Sequence, residues 1–372
     1  MKIGIPKEIK NHESRVGMTP PGVNELTRLG HQVFVETNAG LNIGITDLNY
    51  KQAGAVIANN AEEVFNYAEL IVKVKEPQIE EIKKLQPKHT LFTYLHLAPD
   101  PSQTQGLLKS GAKAIAYETV TDQLGSLPLL APMSEVAGRM AVQAGAMCLE
   151  IKYGGRGMLL GGVPGVTPGK VAIIGGGVVG SNAALIAAGM GAQVSILDNS
   201  IARLAHLDFQ FKSSITTLYS TNQSIRDAVL EADMVIGAVL LPGAKAPKLV
   251  TRDMVKAMKR GSVIVDVAID QGGCIETSRP TTHEEPSYLE EEVVHYCVTN
   301  MPGGVARTST FALNNATLPY ILMLAQLGIE KAVMTDEHLA DGVNVWNRTL
   351  TQEAVAAAQG LNFTPVRELL IH

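Results

Sequence analysis

At 372 residues the chain has room for about two domains, each with its own core. A composition of 46% hydrophobic and 18% charged residues excludes a disordered chain and fits a compact soluble protein, and the net charge of −5 gives no support to a nucleic-acid partner. No apolar run reaches the ~18 residues of a membrane span, and Met1 leads straight into a strand-like KIGIP rather than a signal peptide.

The early part of the chain alternates strand-like and helix-like segments. KIGIP, QVFVE, AVIA, LIVKVK, TLFTYL and AIAYE read as strands, with amphipathic pieces such as PPGVNELTRLG and PSQTQGLLKSG between them. That alternation predicts a parallel sheet covered by helices on both faces. A long helix is expected from about Ser134 to Lys152, followed by a turn-rich, glycine-rich connection, GGRGMLLGGVPGVTPG. The strand pattern then restarts with VAIIG, QVSILD, ITTLYS, MVIGAV, SVIVDVA and VVHYCV. Six strands are the full count for two mononucleotide-binding halves. This second unit ends near Asn300, and no further strand is expected beyond it. The remaining segment reads as helical, including FALNNATLPYILMLAQLGI, whose Asn314, Asn315 and Pro319 suit a packed helix rather than a membrane span. It is too short for a core of its own, so it is expected to dock on the first domain. The expected fold is therefore α/β, with two Rossmann-like domains of doubly wound, mainly parallel sheets separated by a cleft. Residues 1–130 plus 305–372 form the substrate domain, and residues 131–304 the nucleotide domain with its linker helix.

The strongest motif is VAIIGGGVVGSNAALIAAGMGAQVSILD, from Val171 to Asp198. Gly175, Gly177 and Gly180 supply G-x-G-x-x-G between a strand and a helix. The first glycine makes the tight turn, the second lets the backbone approach a pyrophosphate, and the third lets helix and strand pack closely. The helix start offers N–H groups and a positive dipole end to phosphates. Asp198 follows at the distance where a carboxylate accepts from the ribose hydroxyls. A dinucleotide cofactor implies hydride transfer. Cys148, Cys274 and Cys297 are far apart in sequence without C-x-x-C pairing, so they are expected to be reduced and mostly buried, in a cytoplasmic setting. The histidines show no zinc-ligand spacing, and no metal is expected.

Four residues stand out as candidates for substrate chemistry. Arg15 follows the first strand, and its fork suits a carboxylate, although a solvated loop is the commoner setting for such an arginine. Lys75 ends LIVKVKEP and shares a strand face with Lys73, where an ammonium can hold a carboxylate or orient a carbonyl. His96 follows TLFTYL and could donate to a carbonyl or shuttle a proton. Asp270 ends SVIVDVAID, where the nicotinamide end of a cofactor is expected, with Asp266 as the rival acid. The bland alternatives are an edge lysine, a structural histidine and a turn cap.

Nearly the whole chain resembles the family of alanine dehydrogenases and the NAD-binding subunits of proton-pumping transhydrogenases. The resemblance rests on GIPKEIKNHESRVGMTP, VKEP, YLHLAPD, LLAPMSEVAGRMAVQAGA, GGVPGVTPGKVAIIGGGVVG, DVAIDQGGCIETSRPTTHEEP and MPGGVARTST. It implies NAD as cofactor and reversible oxidative deamination of L-alanine to pyruvate and ammonia. It implies that Arg15 and Lys75 bind the substrate and that His96 and Asp270 are the catalytic pair. Nucleotide contacts are implied at Ser134, Val178, Asp198, Arg203, Ser220, Val239, Leu240, Arg279 and Met301, beside the three motif glycines. The family has an alanine where this chain has Gly304. The partners implied are small-molecule substrates and further copies of the chain in a hexamer, with no membrane partner. Rival readings are a transhydrogenase subunit, a saccharopine-type dehydrogenase acting on a longer diacid, and a nucleotide sensor that turns nothing over.

Overall fold

The computed structural model describes residues 1–239 and 246–370. The chain divides into two compact units, one built from residues 1–133 with the segment from 305 onward, the other from residues 134–304.

The first unit opens with β1 (Lys2–Ile5), β2 (Gln32–Glu36), β3 (Val56–Ala58), β4 (Leu70–Val72), β5 (Thr90–Thr93) and β6 (Lys113–Ala116). All six run parallel in the spatial order β3-β2-β1-β4-β5-β6. This is the order of a doubly wound sheet, whose direction of winding reverses between β1 and β4. Helices cap their own starts where the sequence supplies an acceptor. Asn60 accepts from Glu63 N–H and Asp100 from Gln103 N–H, in each case satisfying a first-turn donor.

The second unit contains β7 (Lys170–Ile174), β8 (Gln193–Asp198), β9 (Thr216–Tyr219), β10 (Met234–Gly237), β11 (Val263–Asp266), β12 (Ser287–Glu290) and β13 (Val293–Tyr296). The spatial order is β12-β13-β11-β10-β7-β8-β9, and every pair is parallel except β12 with β13. The six expected strands thus form a second doubly wound sheet, with one antiparallel edge strand added. β12 escaped the sequence reading because its hairpin turn is Glu291-Glu292, both at positive φ. A two-residue turn with those angles ordinarily carries Asn or Gly. Apolar residues cover both sheet faces, with Ile173, Ile236 and Val265 in one layer and Ala172, Val235 and Ile264 in the other. Burial on both faces is why these strands read as continuous apolar runs.

The return segment corrects the sequence reading. It carries β14 (Val343–Trp346) and β15 (Thr349–Leu350), where no strand was expected. β14 lies antiparallel beside β6, and β15 folds back on β14, extending the first sheet to eight strands. All four residues of β14 are buried, which removes the alternation that marks a half-exposed strand. Its turn, Asn347-Arg348 at positive φ, carries no glycine. The expected long helix is also displaced, running Ala131–Cys148. It stops early because Gly155 folds back onto it, so closely that a Cβ there would lie 2.2 Å from the Cys148 carbonyl oxygen. The helix Ala306–Leu327 contains Pro319, as expected. No helix among the described residues is long and apolar enough to cross a membrane.

Candidate active site

In the second unit two of the three motif glycines, Gly175 and Gly180, occupy positions that only glycine tolerates. Gly175 has φ +105, and a Cβ at Gly180 would sit 1.9 Å from the Gly175 carbonyl oxygen. A Cβ at Gly177 would meet nothing within 4 Å, so this backbone stands open to a ligand. The helix Val178–Gly189 begins directly after it, and no side chain caps its first N–H groups. Asp198, the last residue of β8, reaches back to this turn. Its Oδ2 accepts from Gly176 N–H at 2.8 Å and its Oδ1 from Ser200 N–H at 2.8 Å. Arg203 Nε donates to the Gly176 carbonyl at 2.5 Å. Ser220, just past β9, donates its N–H to the Asp198 carbonyl at 3.0 Å. Val239, beyond β10, packs against the turn, its Cγ2 3.2 Å from the Cβ that Gly175 lacks. The glycine turn, Val178, Asp198, Arg203, Ser220 and Val239 thus gather at the carboxyl ends of β7 to β10. Leu240 lies outside the described residues. Ser134, Arg279 and Met301 sit on other elements of the same unit. Ser134 lies in the first turn of the helix Ala131–Cys148, half-buried. Arg279 lies over the Tyr288 ring at 3.8 Å. Met301 begins the 3₁₀ turn Met301–Val305 and is buried. A Cβ at Gly304 would meet His283 Cε1 at 2.7 Å and Met140 Cε at 3.0 Å, so the glycine suits these neighbours.

The two candidate acids differ sharply. Asp266 is fully buried at the end of β11. It accepts from Cys274 N–H at 3.4 Å and Ile275 N–H at 3.3 Å, and burial pushes its carboxyl pKa up. It therefore tethers the loop that follows. Asp270 lies one turn on, exposed, in the 3₁₀ helix Val267–Gln271. Its Oδ1 accepts from Asn300 N–H at 3.4 Å. Of the two, it is Asp270 whose residue is exposed at the surface of this unit. All three cysteines are free and buried.

In the first unit Arg15 is 2% exposed, which corrects the expectation of a solvated loop. Its Nε and Nη2 donate to the two carboxylate oxygens of Glu13 at 2.7 and 2.6 Å, and its Nη1 lies 3.1 Å from Met133 Sδ. Burial opposes both charges, but the pairing outweighs it, lowering the Glu13 pKa and raising that of Arg15. Glu13 therefore grips one edge of the guanidinium. Sequence reasoning missed it, although the E-x-R spacing brings both side chains together. Lys75 lies beyond the end of β4 rather than within it. It is half-buried, and burial lowers its pKa. Lys73 has a different environment from Lys75: it is fully buried and pairs with Glu8 at 2.9 Å and Glu81 at 2.7 Å. His96 follows β5 with φ 49, a strained conformation for a non-glycine residue. Its ring stacks on Tyr94 at 5.8 Å. Glu118 holds its backbone, accepting from His96 N–H at 2.6 Å and Leu95 N–H at 3.2 Å. No local pattern marks Glu118 in the sequence. Among the described residues, no cluster of His, Cys, Asp and Glu could hold a metal ion.

This arrangement can hold a dinucleotide on the second unit and an anionic small molecule on the cationic side chains of the first. Comparison with known proteins points the same way. The family model described as "Alanine dehydrogenase/PNT, N-terminal domain" matches residues 4–137, and "Alanine dehydrogenase/PNT, C-terminal domain" matches residues 141–353. The alanine dehydrogenase of Halomonas elongata is 58% identical over 370 residues, covering all of both chains. That of Bacillus subtilis is 54% identical, covering all of this chain and 98% of its own. A solved L-alanine dehydrogenase superposes with a TM-score of 0.94 at 53% identity, covering 97% of this chain and 99% of its own. A transhydrogenase from Sinorhizobium meliloti shares the fold, with a TM-score of 0.83 at 23% identity over 94% of this chain and all of its own. Matched end to end at this identity, with both domain models in order, the chain belongs to the alanine dehydrogenase/PNT family.

Proposed function

We propose that the chain catalyses reversible, NAD-dependent oxidative deamination of L-alanine. In this reaction L-alanine, NAD⁺ and water give pyruvate, ammonium, NADH and a proton. The observation that carries this reading is the identity above 50% to alanine dehydrogenases over the full length of both chains. The glycine turn fits the cofactor, because Gly177 leaves open space where a pyrophosphate must approach and Asp198 stands at the strand end where a ribose is held. A bound nicotinamide dinucleotide supplies the hydride acceptor.

The chain's own residues do the rest. Arg15 and Lys75 hold the carboxylate and fix the α-carbon, a positioning role. Glu13, by gripping the Nε and Nη2 edge of Arg15, orients the guanidinium that receives the carboxylate. Water adds to the iminium carbon, and its proton goes to Asp270 or His96. In the reverse direction protonated His96 polarises the pyruvate carbonyl. Ser134, Val178, Arg203, Ser220, Val239, Leu240, Arg279 and Met301 line the nucleotide site with the glycines and Asp198. The reading also takes the enzyme as a homohexamer, by family resemblance, and as cytoplasmic, in keeping with its three free, buried cysteines. Light scattering checks the assembly.

The test is a panel of amino acids and 2-oxo acids with NAD and NADP, followed by NADH absorbance on the isolated chain. Alanine-dependent NADH formation supports the reading. Its absence overturns it in favour of a subunit or sensor, and a preference for a longer diacid favours the saccharopine-type alternative.

A further inference from the structure

Lys75 stands at a place where the sheet no longer holds the chain. β1 ends at Ile5 and is followed by Pro6, which has no N–H to extend the ladder toward β4. β4 ends at Val72. On the β5 side pairing persists, with Lys73 N–H donating to the Phe92 carbonyl at 3.1 Å. On the β1 side a side chain replaces the missing strand. Glu8 Oε1 accepts from Val74 N–H at 2.7 Å and from Lys75 N–H at 3.3 Å. Its other oxygen accepts from Lys73 Nζ at 2.9 Å, and that ammonium is pinned by Glu81 at 2.7 Å. Two more bonds fix the carbonyls of the same stretch. Tyr117 Oη donates to the Lys73 carbonyl at 3.0 Å, and Thr93 Oγ1 donates to the Lys75 carbonyl at 2.9 Å. Glu8, Lys73 and Glu81 are all at most 6% exposed. Three donors therefore converge on one buried carboxylate, from both of its sides.

Buried charges at this density are a costly way to secure a chain end, since an apolar cluster of the same volume holds a core as well or better. A carboxylate does what apolar packing cannot: it fixes two successive backbone N–H groups at a defined position. We infer that Glu8 is a positioning residue for the reaction, a buried clamp that fixes the backbone of Lys75 so that its ammonium meets the substrate. The inference rests on the proposed role of Lys75 in holding the substrate. Glu8 touches no reacting atom, so its effect must pass through Lys75.

Glu8→Ala leaves Lys73 with one partner and risks misfolding. Glu8→Gln is the isosteric variant. Its amide offers an acceptor on one side only, so the clamp opens either toward the backbone N–H groups or toward Lys73. The measurements are kcat/KM for alanine, pyruvate affinity of the NADH-bound enzyme, and NADH affinity, each in the parent, Glu8→Gln, Lys75→Ala and the double variant. Folding is checked by melting temperature. Displacement of a substrate-holding group by about 1 Å costs on the order of 100-fold, so Glu8→Gln is expected to lose 10- to 100-fold in kcat/KM and in pyruvate affinity, with NADH affinity within about 2-fold. In the Lys75→Ala background the same change is expected to cost less than about 3-fold, because the group it positions is gone. Losses that multiply in the double variant, or a folded Glu8→Gln enzyme within about 2-fold of the parent, overturn the inference. A parent chain without alanine-dependent NADH formation overturns the functional reading and this inference with it. An active parent with an indifferent Glu8→Gln overturns this inference alone.

Discussion

Replacing Arg15 by lysine keeps the charge and removes the geometry. The guanidinium of Arg15 is 2% exposed and meets Glu13 side-on through two bonds of 2.7 and 2.6 Å. A lysine ammonium at this position can keep one of them. A lost hydrogen bond to a buried charged group costs about 1.5–3 kcal/mol. For a unit of this size that corresponds to a melting temperature lower by about 3–12 °C. The substrate carboxylate loses one prong of its contact as well, a similar free energy, so KM for alanine and pyruvate should rise about 10- to 150-fold. NADH affinity should hold, because the glycine turn and Asp198 belong to the other unit. The assay is steady-state kinetics in both directions, NADH fluorescence titration and thermal melting. The pairing also has a pH signature. The Glu13 carboxyl is held below its ordinary pKa by Arg15 against the opposing effect of burial. A carboxylate with a depressed folded pKa contributes stability that is complete above the unfolded value, about 4.3, and is lost as pH falls through the folded value. The gap in melting temperature between the parent and Glu13→Gln should therefore be widest near neutral pH and narrow below about pH 4. Parental KM values together with an unchanged melting temperature in Arg15→Lys would refute the reasoning, leaving Arg15 a passive buried cation.

The other predictions concern the nucleotide and the proton. NAD should be strongly preferred over NADP, since a 2′-phosphate would face the Asp198 carboxylate. Asp198→Gly should narrow the gap in kcat/KM chiefly by weakening NAD, because the bonds to Gly176 and Ser200 N–H go with it; comparable kcat/KM for the two cofactors in the parent sinks this idea. Asp270→Asn and His96→Ala should each lose about 10²–10⁴-fold in turnover while NADH still binds and circular dichroism is unchanged. A folded Asp270→Asn enzyme with near-parental kcat moves the proton chemistry elsewhere, with Lys75 as the next candidate. Gly180→Ala should abolish tight NADH binding, as its Cβ would fall 1.9 Å from the Gly175 carbonyl oxygen and force the helix off the turn; retained NADH affinity in a fluorescence titration counts against the glycine turn as the nucleotide site.

Much of this molecule is written in local pattern. Most of the twelve parallel strands were legible because they are short apolar runs bounded by turn residues, and β7, the glycines, the helix and Asp198 announce one another in a single register. The candidate residues Arg15, Lys75, His96 and Asp270 were legible as chemistry at strand ends, and the resemblance to a known family gave each of them a role. Their surroundings were not legible. That Arg15 is buried involves Met133, whose Sδ lies 3.1 Å from its Nη1 although the two are 118 residues apart in sequence. That Lys73 and Lys75 have different environments depends on Glu8, which lies 65 residues from Lys73 in sequence. That His96 adopts a left-handed backbone depends on Glu118, 22 residues on. The strands β12, β14 and β15 were hidden for a related reason. Their turns use Glu-Glu and Asn-Arg where glycine is usual, and their pairing partners were set only once the sheets had formed. Periodicity and turn chemistry act between near neighbours and can be read along the chain. Buried ion pairs and edge-strand addition act between segments that meet only on folding, so the tertiary structure alone decides them.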